Sequence, residues 1–181
     1  MAVSPSVSRW EVAPADEIDF GMWSEKRVRE YRGSLQQKKD LPLAVLRIER
    51  LKLRVPIFEG VDDLTLNRGL GWIPGTAHPG GAGNVGVAGH RDGFLRVLKD
   101  ISLGDTVELS TEQGSFTYAV DEVEIVTPDD ISVLKPRGGP ALTLVTCYPF
   151  YFLGHAPQRF IVHAALQQGR TGSIQFSNKE K

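Results

Sequence analysis

Cysteine is nearly missing from this chain: 181 residues contain one, Cys147. A single thiol excludes an intramolecular disulfide and any multi-cysteine zinc site. Long apolar runs are missing as well, and no stretch approaches the roughly 18–20 apolar residues of a membrane-spanning helix. The opening segment MAVSPSVSRWEVAPADE has no basic flank followed by an apolar stretch, so it does not read as a signal peptide. The expectation is a soluble chain, or one whose anchor lies upstream, with residues 1–17 as a juxtamembrane remnant. Excess charge of one sign is also lacking. A formal net charge of -1 gives no reason to expect a nucleic-acid-binding face. What is present, 41% hydrophobic and 24% charged residues, is the composition of a folded globular chain. The length suffices for one domain with a hydrophobic core and a short appendage.

The chain divides by pattern. Residues 1–17 form a Ser-, Pro- and Ala-rich leader. Residues 18–42 hold an accessory helix and linker, with Ser24 as N-cap and Val28, Tyr31 and Leu35 on one apolar face. This helix is expected to pack on the domain; a membrane-surface role is the alternative, but its apolar face is thin. From Leu43 the period changes to short alternating runs. Leu46/Ile48 and Leu51/Leu53/Val55 are out of phase, which predicts a bulge or turn near Glu49. A short helix capped by Asp62 or Asp63 should end near Gly69, and another should place Phe94 and Leu98 on one face. NVGVAGH, DTVELST, SFTYAVDEVEIVT, ALTLVTC and RFIVHAAL read as strands, the middle pair joined as a hairpin across Glu112-Gln113-Gly114. Many short strands with few helices predict a mainly β fold, a closed or nearly closed barrel over 43–168. A polar, loosely held tail follows at 169–181, its polar character setting in at Gln167.

Cys147 ends a predicted strand and leads into the aromatic loop YPFYFLGHAP. A lone cysteine ordinarily behaves as a small buried hydrophobe; a strand terminus beside a loop is also where a reactive thiol would be presented. His78 lies in a Gly-rich loop, His90 ends a strand, His155 follows Cys147 and His163 lies within the last strand. Gly89 lets backbones approach closely before His90. Asp92 is expected in a turn or helix cap. Arg159 opens the last strand, twelve residues after Cys147, and consecutive strands are usually neighbours. A cysteine nucleophile needs a thiolate, a proton donor for the leaving group, and positive charge for the oxyanion. Cys147, His90 and Arg159 can supply all three.

NVGVAGHRDGF, TLVTCYP and RFIVHAAL resemble the three signature stretches of the sortase family of cysteine transpeptidases, in the family's order. The resemblance spans roughly Leu43 to Leu166. The tyrosine after the cysteine and the helix before the barrel are most similar to class D sortases. The resemblance implies an eight-stranded β-barrel with short helices. It implies cleavage of a cell-wall sorting signal, Leu-Pro-x-Thr-Gly or a relative, after Thr. The acyl group would be held on Cys147 and passed to an amine. His90 would protonate the leaving amine and deprotonate the incoming one, and Arg159 would hold the substrate carbonyl. Thr146 matches the family's threonine, whose backbone or hydroxyl would help the oxyanion or substrate. The loops around the Cys147 strand, 129–140 and 148–158, are the expected groove walls. Ile131, Val133, Leu134, Tyr148, Phe150 and Tyr151 are the candidate substrate-binding residues.

The implied partners are a surface protein bearing a C-terminal sorting signal and an amine acceptor, either a peptidoglycan precursor or a pilin lysine. No nucleic-acid partner, metal or cofactor is expected. The implied site of action is the extracytoplasmic face of a bacterial membrane. Three other readings compete. An L,D-transpeptidase would need a Ser-His-Gly-Cys stretch, but Thr146 and Tyr148 flank the cysteine here. A retired peptide-binding barrel would not need Cys147, His90 and Arg159 together. A zinc site of His78, His90, His155 and Cys147 would draw ligands from separate segments with no short spacing.

Overall fold

A computed structural model describes residues 18–37 and 40–171. The leader at 1–17 and residues 172–181 of the expected tail lie outside it. Eight strands close into one barrel in the order β1-β2-β3-β4-β7-β8-β6-β5. They are β1 (Ala44–Ile48), β2 (Leu53–Glu59), β3 (Leu70–Trp72), β4 (Asn84–Ala88), β5 (Thr106–Thr111), β6 (Gly114–Val126), β7 (Ala141–Tyr148) and β8 (Gln158–Thr171). Period-two alternation explains the closure. Ala44/Leu46/Ile48, Val55/Ile57, Val85/Val87, Val107/Leu109, Tyr118/Val120, Leu142/Leu144 and Val162/Ala164 all fall into one buried cluster. Each strand sends every second side chain to the barrel interior.

The phase slip near Glu49 is a 3₁₀ turn over Glu49–Leu51, closed by Lys52 at φ 52. It reverses the chain between β1 and β2, which pair antiparallel. Asp62 caps α2 (Asp63–Arg68) through the backbone N–H of Thr65, and Gly69 ends it. The strand after it, β3, was not anticipated; three residues are too few to show alternation. The third expected helix is a 3₁₀ segment over Phe94–Asp100 that buries Phe94, Leu95 and Leu98. Residues 167–171 of the expected tail belong to β8, which continues to Thr171 and pairs Gln168 with Thr117.

Ser24 caps α1 (Glu25–Ser34) by accepting from the Arg27 N–H. The apolar face differs from expectation. Leu35 is exposed, whereas Tyr31 is buried and meets Phe20, Trp23 and Phe94 at ring separations of 5.6, 5.7 and 5.7 Å. Helix α1 stops at Ser34, so Leu35 is a cap rather than part of the face. Edge-to-face aromatic packing seats the helix on the barrel.

The outer face of β4, β7 and β8 is the part of the barrel that bears on function. Thr143 and His163 are register partners there, and Asn84 of β4, level with Ala141, reaches Thr143 from two residues away. The Asn84 amide nitrogen donates to the carbonyls of Val133 and Lys135 (3.3 and 3.0 Å), tying the β6–β7 connection to β4. Its oxygen must therefore face Thr143, whose hydroxyl donates to it at 2.8 Å. That uses the hydroxyl's single proton, so His163 Nδ1 donates to Thr143 Oγ1 at 2.9 Å. His163 Nε2 meets Glu124 Oε1 at 2.8 Å. His163 is 1% exposed. Replacing it by leucine removes both of these hydrogen bonds, leaving Thr143 with Asn84 and the Glu124 carboxylate with solvent; the expected cost is about 1–2 kcal/mol in chemical denaturation, with a loosened 127–140 connection in hydrogen exchange.

Candidate active site

Strand β7 runs parallel to β4 and antiparallel to β8, so it lies between them. Cys147, near its end, is half-buried and directly opposite Arg159. The sequence predicted this neighbourhood from strand order; the register makes the pair directly opposed. Ala88 is level with Val145, so the chain continuing from β4 brings His90 level with Cys147. Two bonds hold that continuation. The Gly89 N–H donates to the Val145 carbonyl at 3.1 Å, and Thr146 Oγ1 donates to the Gly89 carbonyl at 2.7 Å. A side chain at Gly89 would meet Leu70 and Leu95 atoms within 2.7 Å, so only glycine lets the chain pass this close. Cys147 and Arg159 are thus set on adjacent strands, and His90 follows two residues past the end of β4 on the other side of the thiol.

His90 sits beneath the start of α1. Its Nε2 is buried and has no hydrogen-bond partner among the described residues. Burial, and next the Arg27 guanidinium, push its pKa down to about 4, against the opposing charges of Asp92, Asp63 and Glu30. The resting ring is therefore a neutral imidazole at neutral pH. The unfolded chain keeps an ordinary histidine, so between pH 6.5 and about 4 it binds a proton that the folded chain does not. Stability should fall as pH drops through that window, by up to about 3 kcal/mol. His90→Gln should flatten this limb of the pH–stability curve in urea titrations.

Asp92 does not orient His90. Its carboxylate accepts from Ser24 Oγ at 2.7 Å and from Arg27 Nε at 3.0 Å, clamping α1 onto the site. These hydrogen bonds and the nearby Arg27 charge hold the Asp92 carboxyl below its ordinary range, against the opposing pull of burial. Arg91 donates to the carbonyls of Pro149, Phe152 and Gly154, and Arg96 to those of Met22, Phe150 and Arg91. Two arginines therefore hold the β7–β8 loop in place. Sequence reasoning did not assign Arg27, Arg91 or Arg96 to the site. The dipeptide Arg91-Asp92 directly after His90 was the available signal; its partners come from distant segments.

Beside Cys147 lies a groove of about 790 Å³, bounded by α1, the loop after His90 and residues 151–156. Tyr151 and His155 line it. Among the candidate substrate-binding residues, Ile131 is exposed, and Leu134 and Tyr148 are half-buried. Val133 and Phe150 are buried, Phe150 within the core and 5.0 Å from the Phe160 ring. Thr146 is 2% exposed, and its hydroxyl proton is given to Gly89, so the side chain positions the chain before His90. The 127–140 connection covers β4 near Gly86, where Leu134 lies 3.1 Å from the Cβ position. His78 packs against Trp72, with ring centroids 5.0 Å apart and the ring planes tilted by 51°. Among the described residues, no three of His, Cys, Asp and Glu gather as a metal site.

Fold and site together define a β-barrel presenting a thiol, an imidazole and a guanidinium along one end. A family profile described as the sortase domain matches residues 46–167. Sortase D of Bacillus subtilis is 34% identical over 120 residues, 66% of this chain and 61% of that protein. Sortase D5 transpeptidase of Clostridium perfringens superimposes with a TM-score of 0.64 at 28% identity, covering 81% of this chain and 90% of that one. Sortase E1 of Streptomyces coelicolor, solved with a tripeptide in its active site, gives a TM-score of 0.65 at 30% identity, covering 71% and 90%. The chain belongs to the sortase family, and its likeness within the family is to class D. It spans about three fifths of the Bacillus subtilis relative's length.

Proposed function

We propose that this protein cleaves a Leu-Pro-x-Thr-Gly-like sorting signal after Thr and transfers the acyl product from Cys147 to an amine at the bacterial cell surface. The observation that carries this reading is the direct pairing of Cys147 with Arg159, with His90 brought level on the other side. The neutral imidazole takes the thiol proton as sulfur attacks the Thr carbonyl carbon. Arg159 faces the oxyanion that forms. Among the described residues its hydrogen bonds, to the carbonyls of Ala156 and Gln158, run from Nη1. Nε and Nη2 remain for the substrate oxygen. The proton then passes from His90 to the departing amine nitrogen as the C–N bond breaks, leaving a thioester. An incoming amine reverses the sequence. Ile131, Leu134 and Tyr148 are proposed to receive the residues preceding Thr.

The test is intact-protein mass spectrometry with Leu-Pro-x-Thr-Gly and Leu-Ala-x-Thr-Gly peptides and no added amine. The expected result is one acyl adduct on Cys147, cleared by an amine. An unmodified protein with every peptide overturns the reading.

A further inference from the structure

Period-two alternation puts Thr143, Val145 and Cys147 on one face of β7, and Gly86 and Ala88 on the same outer face of β4, with His90 beyond them. The strip between the two strands runs from the thiol to Gly86 and Thr143, which are level with each other. Four residues of strand make it about 13 Å long. Its near end holds the reacting groups. Its far end is closed by Leu134, which takes the space that Gly86 leaves by having no side chain. A Cβ at Gly86 would lie 3.1 Å from Leu134 and 2.9 Å from Thr76. Leu134 ends a 3₁₀ turn, Ile131–Leu134. A single 3₁₀ turn has poor hydrogen-bond geometry and needs anchors from outside.

Asn84 supplies them. It is 3% exposed and lies two residues before Gly86 on β4. Its amide nitrogen holds the carbonyls on both sides of Leu134, those of Val133 and Lys135. Only one orientation of the amide can do this, and Thr143 sets it by donating to the amide oxygen. We propose that Asn84 is a positioning residue for the sorting signal: by holding these two carbonyls it places Leu134 at the far end of the strip, and so sets how tightly the signal's leucine is bound. This rests on the acyl-transfer reading above. A peptide extended from a Thr carbonyl at Cys147 reaches back about 10 Å over three residues, which brings its leucine to the Leu134 end. Cys147, His90 and Arg159 are set by the β7–β8 register and by the two Gly89 bonds, in which Asn84 takes no part. Its effect falls on peptide binding and not on bond breaking.

The experiment measures kcat and KM separately for Leu-Pro-x-Thr-Gly cleavage by Asn84→Asp. The carboxylate keeps an acceptor for Thr143 and loses the donation to the 127–140 connection. The expected result is about a tenfold rise in KM with kcat within about twofold of the parent. Partial unfolding would do the reverse, lowering kcat with the active fraction and leaving KM unchanged. Thr143→Val is the milder second variant: it removes the hydroxyl that orients the amide, and KM should rise about threefold. Leu134→Ala should raise KM by itself. Adding Asn84→Asp to it should raise KM little further, because no leucine is left to place. Unchanged KM in a folded Asn84→Asp, or in Thr143→Val should Asn84→Asp not fold, overturns the proposal and leaves acyl transfer standing. So do rises in KM that multiply in the double variant. A parent protein that cleaves no peptide and forms no adduct overturns both.

Discussion

Cys147→Ala is expected to lower sorting-peptide cleavage by at least about 10⁴-fold and to leave no acyl adduct. No other side chain can take over, because the chain has no second cysteine. The neighbours are also committed. Thr146 is buried with its hydroxyl on Gly89, and Tyr148 packs among Phe150 and Phe160. Alanine loses little packing at a half-buried strand end, so stability should change by less than about 1 kcal/mol. Peptide binding should persist. Chromatographic cleavage rates, with binding of the same peptide measured by fluorescence, separate a lost nucleophile from a lost groove. Serine should not rescue cleavage, since a hydroxyl gives up its proton far less readily than a thiol to an imidazole whose pKa lies near 4.

Arg159→Ala is expected to cost about 10²–10³ in kcat/KM, the size of effect seen when one oxyanion donor is removed. The loss should fall on acylation, and therefore appear in single-turnover formation of the adduct. Arg159→Lys should recover only part of it. Lysine can reach the same place on β8, but a compact ammonium cannot bond the Ala156 and Gln158 carbonyls from one end while offering two further donors in one plane. Full recovery by lysine would mean that Arg159 supplies charge alone. An alanine variant with unchanged acylation would remove Arg159 from the chemistry.

The strands that build the barrel were legible where alternation ran long enough, as in 44–48, 53–59 and 106–126. Interior positions recur every second residue there, and the pattern needs no partner to be read. Strand β3 escaped for the opposite reason: at three residues it is defined by its pairing to β2 and β4 rather than by its own pattern. Helix α1 was legible, including its Ser24 cap, but not which residue it buries. Tyr31 is buried because Phe20, Trp23 and Phe94 converge on it from other segments. The same limit separates Ile131, which is exposed, from Val133 and Phe150, which are buried. Apolar loop residues look alike until the fold decides what covers them.

The chemistry divides along the same line. By itself, the sequence determined the residue types and their order: one thiol at a strand end, a histidine after Gly89, an arginine twelve residues past the cysteine. Local chemistry suffices for that, since strand termini, glycine and spacing are properties of neighbouring residues. The tertiary structure alone decided that Cys147 faces Arg159 in register and that β4 delivers His90 to the same level. It also decided that Arg27 of α1, clamped by Asp92, helps keep that imidazole neutral. Those outcomes depend on register, burial and charge at a distance, which arise between segments far apart in the chain and exist only once the barrel has closed.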